Sequence, residues 1–168
     1  MPEKAVIDRA RRDKEEGKSA STQAGEFIRE EMHHIRDGKH GARSPQQAIA
    51  IGLSEARRAG VNLPPPKRGK TSARTRAQAQ RELRQGKSHN HKTSAKRSRA
   101  ILGALRREGH DAASPKSLAR HAHEVAVHRG KRSLHQSAMK AVRTKGHRGL
   151  QTAARKAART RAKHRNAA

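Results

Sequence analysis

The chain has 168 residues, enough for one ordinary domain, yet it holds one Phe, no Trp, no Tyr and no Cys. This excludes an aromatic core, disulfides and thiolate metal sites. With no run near 18 apolar residues and no apolar leader, it predicts a cytoplasmic protein without a membrane span. Charge is abundant and uneven: residues 1–66 carry 12 Lys/Arg and 10 Asp/Glu, residues 67–168 carry 29 and 4, and the whole is +27. A near-neutral head on a polycationic remainder points to a polyanion partner, with nucleic acid foremost.

Residues 1–20 mix both signs, with Val6 and Ile7 their only large apolar residues. They read as a flexible charged segment, either a short exposed helix over Glu3–Glu16 or disorder.

Residues 21–63 carry the clearest pattern. Ser21 and Thr22 are capping types, and Ala24, Phe27, Ile28, Met32 and Ile35 recur on one helical face, closed by Gly38. Ser44, Pro45 and Gln47 then form a capping box with Pro at the first helical position. Ala48, Ile49, Gly52, Leu53 and Ala56 make a second stripe, ended by Gly60, with Val61 packing back. The short connection predicts an antiparallel hairpin. Gly52 costs about 1 kcal/mol against Ala, which a close helix crossing would explain. The core of Phe27, Ile28, Ile35, Ile49, Leu53, Val61 and Leu63 is thin, and chains of about 40 residues usually need a staple, a metal or a partner. Phe27, Ile28, Ile35, Ile49 and Leu53 are therefore also the candidate face for a protein partner or self-association.

Residues 64–93 read as a Pro/basic linker, starting at the stiff Pro64-Pro65-Pro66, with a short helix from Thr71 or Ser72 to Gln85 and a polar loop over 86–93. Leu83 is that helix's only large apolar residue, so nothing in its pattern forces packing. Residues 94–130 read as a candidate second hairpin. Ser94 caps a helix bearing Ile101, Leu102 and Leu105, and Ser114-Pro115 opens one bearing Leu118, Ala122, Val125 and Ala126 up to Gly130. The spacing from Gly109 to Ser114-Pro115 echoes that from Gly38 to Ser44-Pro45. It reads either as a degenerate repeat or as ordinary helix punctuation. In residues 131–168, Ser133 and Gln136 suggest a capping box, Gly146 and Gly149 suggest breaks, and the rest is an Ala/Arg/Lys tail, helical or disordered. The fold class expected is all-α, a small helical hairpin followed by short basic helices, partly disordered.

Candidate chemistry is sparse. Gly69-Lys70-Thr71 lacks the glycine and the strand that a phosphate-binding loop requires, because Pro64–Pro66 stand there. Glu30 with His33, and Glu31 with His34, have the i,i+3 spacing of di-metal bundles, with Asp37 and His40 close by. Such sites need carboxylates from further helices, and the second hairpin helix supplies only Glu55, so the expectation is a solvated polar face and no metal. His121, His123 and His128 are weighed the same way. No catalytic constellation stands out, and no cofactor or small-molecule substrate is expected.

The basic half carries the functional reading. Candidate phosphate-binding residues are Lys67, Arg68, Lys70, Arg74 and Arg76, then Lys96, Arg97, Arg99, Arg106 and Arg107. Further along they are Lys131, Arg132, Lys140, Arg143 and Lys145, then Arg155, Lys156, Arg159, Arg161, Lys163 and Arg165. Dispersed cations release counterions along a duplex. The lack of aromatics argues against stacking on single strands, and no recognition-helix signature is present. Duplex DNA is thus expected over RNA, bound without strong sequence choice.

Three runs, Gly25–His34, Lys39-His40-Gly41 and Gln47–Arg57, carry the pattern KHG followed by QAIAIGLSEAR. The segment resembles a largely uncharacterised family of small basic bacterial proteins with a KHG…QAIAIALSEAR-type segment, some labelled plasmid stabilization or DNA-binding proteins. Gly52 stands where Ala is common. The resemblance implies bacterial origin and a DNA-associated function and carries over no site residues; the location expected is cytoplasmic and nucleoid-associated.

Overall fold

The structure, a computed structural model, describes residues 2–88 and 94–166. It is all-α: among the described residues there are helices, turns and loops and no strand. The helices are α1 (Lys4–Glu15), α2 (Ala20–Arg36), α3 (Pro45–Arg58), α4 (Ala73–Lys87), α5 (Ala95–Leu105) and α6 (Pro115–Asn166), with a 3-10 turn at Asp111–Ala113. The chain divides into two units, residues 1–121 and 122–168.

Serines begin most of these helices. Ser19, Ser44, Ser72, Ser94 and Ser114 each accept a bond from a backbone N–H three residues on, satisfying one of the donors a helix start leaves open. The α2 cap is Ser19, not Ser21 or Thr22, so the helix starts earlier than its apolar stripe. At Ser44 the expected box closes with a shift: Gln47 Oε1 accepts from the N–H of Arg43, at 2.9 Å.

In the first unit α2 packs on α1 and α3, and α3 packs on α4. One apolar cluster joins Val6 and Ala10 of α1 to Ala24 and Phe27 of α2, Ala56 of α3 and Val61. A second joins Met32 and Ile35 of α2 to Ala42, Ala48 and the 3-10 pair Ala112 and Ala113. The expected α2–α3 hairpin is present, with the close crossing: a Cβ on Gly52 would lie 2.8 Å from Ile28 Cα.

Four sequence expectations differ. Residues 1–20 are not a free charged segment, because α1 buries Val6 and Ala10. Two apolar residues suffice since Arg9 adds a 2.7 Å ion pair to Glu26, and the N–H of Glu3 donates to Glu30 Oε1 at 3.0 Å. The short helix expected within the 64–93 linker is present as α4, but it packs where its pattern predicted no packing. Helix α4 buries Ala79 and Glu82 against α3, where Glu82 accepts from Ser54 Oγ at 2.7 Å and lies 3.6 Å from Arg57 Nη1. A count of apolar residues cannot see a helix docked through a buried ion pair. Gly86 lies inside α4, where only a bare Cα fits beneath the Arg57 carbonyl, so the loop expected over 86–93 begins after Lys87; residues 89–93 lie outside the described residues. Finally, the candidate second hairpin shares only the punctuation of the first: α5 buries none of its residues.

In α6 the backbone leaves helical geometry at Gly130 (φ 73°) and Gly146 (φ 64°), with extended ψ that side-chain-bearing residues avoid. It is thus three helical segments. The middle segment begins at the Gly130 break, so Ser133 and Gln136 lie within it and do not open it.

Candidate nucleic-acid interface and a buried carboxylate–histidine cluster

Of the candidate phosphate-binding residues, Lys67, Arg68, Lys70 and Arg74 are exposed, as are Lys96, Arg97, Arg99, Arg106 and Arg107. Those of residues 131–165 are exposed too: Lys131, Arg132, Lys140, Arg143, Lys145, Arg155, Lys156, Arg159, Arg161, Lys163 and Arg165. Arg76 alone among them is half-buried, its Nε donating to the Pro66 carbonyl at 3.2 Å. None forms an ion pair among the described residues. By contrast Arg9, Arg29 and Arg57 in the head are engaged with Glu26 or Glu82. The candidate cations other than Arg76 are therefore presented to solvent, without internal ion pairs among the described residues. Exposed apolar side chains lie among them, including Val127, Leu134, Met139 and Val142.

Two residues of the expected partner face are spent inside the chain, and the other three are half-buried. Phe27 and Ile35 are 0% exposed, and Ile28, Ile49 and Leu53 pack on the two clusters. With α1 on one cluster and the 3-10 turn on the other, Phe27 and Ile35 leave no free surface for a partner.

The polar face of α2 also departs from expectation. It is not solvated: Glu26, Glu30 and Glu31 are buried. Glu30 takes the N–H of Glu3 on Oε1, and its Oε2 is buried without a partner. Glu31 is 2% exposed, and its Oε1 is likewise unpartnered. Its Oε2 lies 3.5 Å from Nε2 of buried His40. His34 lies 3.4 Å from Glu3 Oε1, and Lys39 also reaches that carboxylate, at 3.1 Å. The His34 and His40 rings meet edge to face, with centroids 6.1 Å apart. Burial, with Glu55 and Glu30 nearby, pushes the Glu31 carboxyl up to about 7. Burial likewise raises Glu55, whereas the hydrogen bonds from Lys39 and His34 lower Glu3. Of the two i,i+3 pairs in the sequence, Glu31 and His34 face inward while His33 is exposed. Apolar periodicity misses the cluster because these residues share the buried side of the helix with Phe27 and Ile35. His121, His123 and His128 join no ligand-spaced group among the described residues.

Residues 13–68, about a third of the chain, match a family of unknown function, DUF6496. The match contains the segment 25–57 and ends near the prolines, so it takes in α2, α3 and the buried cluster but not the basic remainder. No curated protein and no solved structure matches. No helix among the described residues is long and apolar enough to cross a membrane.

Proposed function

We propose that this protein is a non-enzymatic, DNA-associated basic protein that binds the phosphate backbone of duplex DNA, with little sequence preference, through the Lys and Arg of residues 67–168. The observation that carries the reading is the exposure of all the candidate cations but Arg76, without ion pairs among the described residues, in a segment with 29 Lys/Arg and 4 Asp/Glu. Such cations gain little from folding and much from releasing the counterions of a polyanion. The segment has no aromatic residue, which weighs against stacking readout of single strands. A cytoplasmic, nucleoid-associated location fits this reading, and the resemblance of residues 25–57 supports a link to plasmid maintenance. A partner reached through Phe27 and Ile35 finds no support in their burial.

Competition tests the reading. Full-length protein bound to a labelled duplex should be displaced equally by duplexes of unrelated sequence and less readily by structured RNA of equal charge. Preferential displacement by RNA would favour an RNA- or ribosome-associated role instead.

A further inference from the structure

We propose that Glu31, His34 and His40 bind one divalent transition-metal ion of the Zn2+ kind, which fastens the connection after Gly38 to α2. The local fold brings these donors together for reasons visible in the sequence. Spacing of i,i+3 puts Glu31 and His34 on one side of α2. At Gly38, with φ 73°, the chain turns back, the N–H of Lys39 donating to the His34 carbonyl at 3.0 Å, so His40 returns to the same place. One donor atom from each of the three residues lies within 4.8 Å of the other two.

Two further observations point to a cation at this place. Glu31 is almost wholly buried, has an unpartnered oxygen, and pairs with no Lys or Arg among the described residues. A buried carboxylate oxygen without a partner is costly, and an ion removes that cost. The second is the tautomer of His40. Its Nδ1 lies 3.1 Å from the Gly41 carbonyl, which can only accept, so the ring proton of neutral His40 sits on Nδ1. The Nε2 lone pair then faces the Glu31 carboxylate at 3.5 Å. When Glu31 is ionised, two lone pairs so placed oppose each other, but they suit a shared ion: ligands about 2.0–2.1 Å from a tetrahedral metal sit roughly 3.3–3.4 Å apart. The Gly41 carbonyl fixes the outer nitrogen in the manner common for metal-bound imidazoles.

Two imidazoles and one carboxylate suit Zn2+ and its neighbours better than the harder Mg2+ or Ca2+. Three protein donors leave a fourth position for water. The thin core gives the ion a structural role, as a staple for a small helical head.

The test is titration of full-length, chelator-treated protein with Zn2+ against a chromophoric chelator. One ion per chain should bind, and Glu31→Gln and His40→Gln should each weaken it by about tenfold or more. His123→Gln, exposed and outside the set, should leave it unchanged. Zn2+ should raise the melting temperature of the wild type and not of the two variants. Absence of a saturable site, or equal affinity in both variants, overturns the proposal and leaves Glu31 and His40 as a proton-sharing pair. If either variant loses its helical dichroism, Co2+ titration of the wild type decides. Visible absorption of the tetrahedral kind, saturating at one ion per chain, supports the site, and its absence overturns it.

Discussion

Gly52 and Glu31 show how single positions are constrained in opposite ways. At Gly52 the constraint is steric, because a Cβ would enter the backbone of Ile28 across the helix pair. Ala would gain about 1 kcal/mol of helix propensity but force apart a close-packed crossing, at about 1–3 kcal/mol. Gly52→Ala should therefore lower stability in urea unfolding. The need for a small residue was legible in the sequence, as a glycine in an apolar stripe. At Glu31 the constraint is electrostatic. In the folded chain its carboxyl keeps its proton up to about 7, against 4.5 ordinarily. The folded state thus holds the proton more tightly, so this contribution to stability is full below about pH 4.5 and lost as pH rises through about 7. The groups facing Glu31 are Glu30 and His34 on its own helix, Glu55 on α3 and His40 of the following connection. With chelator present, the melting temperature should fall between about pH 4.5 and pH 7, and Glu31→Gln should flatten that fall. An unchanged slope in the variant would assign the pH dependence elsewhere.

Among the elements, α2 and α3 were legible because every local signal agreed: Ser44 and Pro45 open α3, Gly38 and Gly60 close the two helices, and the apolar stripes match the helical period. For α1, one of two alternatives over Glu3–Glu16, and for α4, expected from Thr71 or Ser72 to Gln85, the helix was legible but its docking was not, for one physical reason. Both dock through polar groups, Arg9 to Glu26 and Arg57 to Glu82, and hydrophobic periodicity carries no information about ion pairs. Arg57 and Glu82 are each about nine-tenths buried, at 7% and 6% exposure, so removing one partner strands the other. Glu82→Ala should cost about 3–5 kcal/mol. It should also speed amide hydrogen exchange in α4 ahead of α2 and α3. Replacing both partners with apolar residues should recover much of the loss. The inward histidines were hidden for a related reason. Their spacing was readable, but their surroundings bring together residues far apart in sequence, such as Glu3 beside His34.

At the scale of the whole molecule, the charge boundary and the structural boundary do not coincide. Charge changes at Pro64–Pro66, yet the first unit continues to residue 121, because α4 and Ala112–Ala113 pack on the helical pair. Composition reported where the cations are, and only packing could report which segments are anchored. Within α6 the sequence anticipated the breaks at Gly130 and Gly146, but it also anticipated one at Gly149, where the helix runs on unbroken. It also anticipated few buried side chains, since alanine offers little area. Neutralising Lys131, Arg132, Lys140 and Arg143 to Gln in the full chain should weaken binding to all duplex sequences alike. It should also reduce the salt slope by about one for each phosphate that no longer meets a cation. Weakening confined to one sequence would mean base reading instead.

The measurement that bears most directly on the central claim is fluorescence anisotropy of the full-length protein on a labelled duplex across a salt series. If about ten cations meet phosphates, the logarithm of affinity should fall linearly with the logarithm of salt, with a slope near −9, whatever the sequence. Weak binding with a flat salt response would contradict the account, and the exposed cations would then serve only to keep the chain solvated.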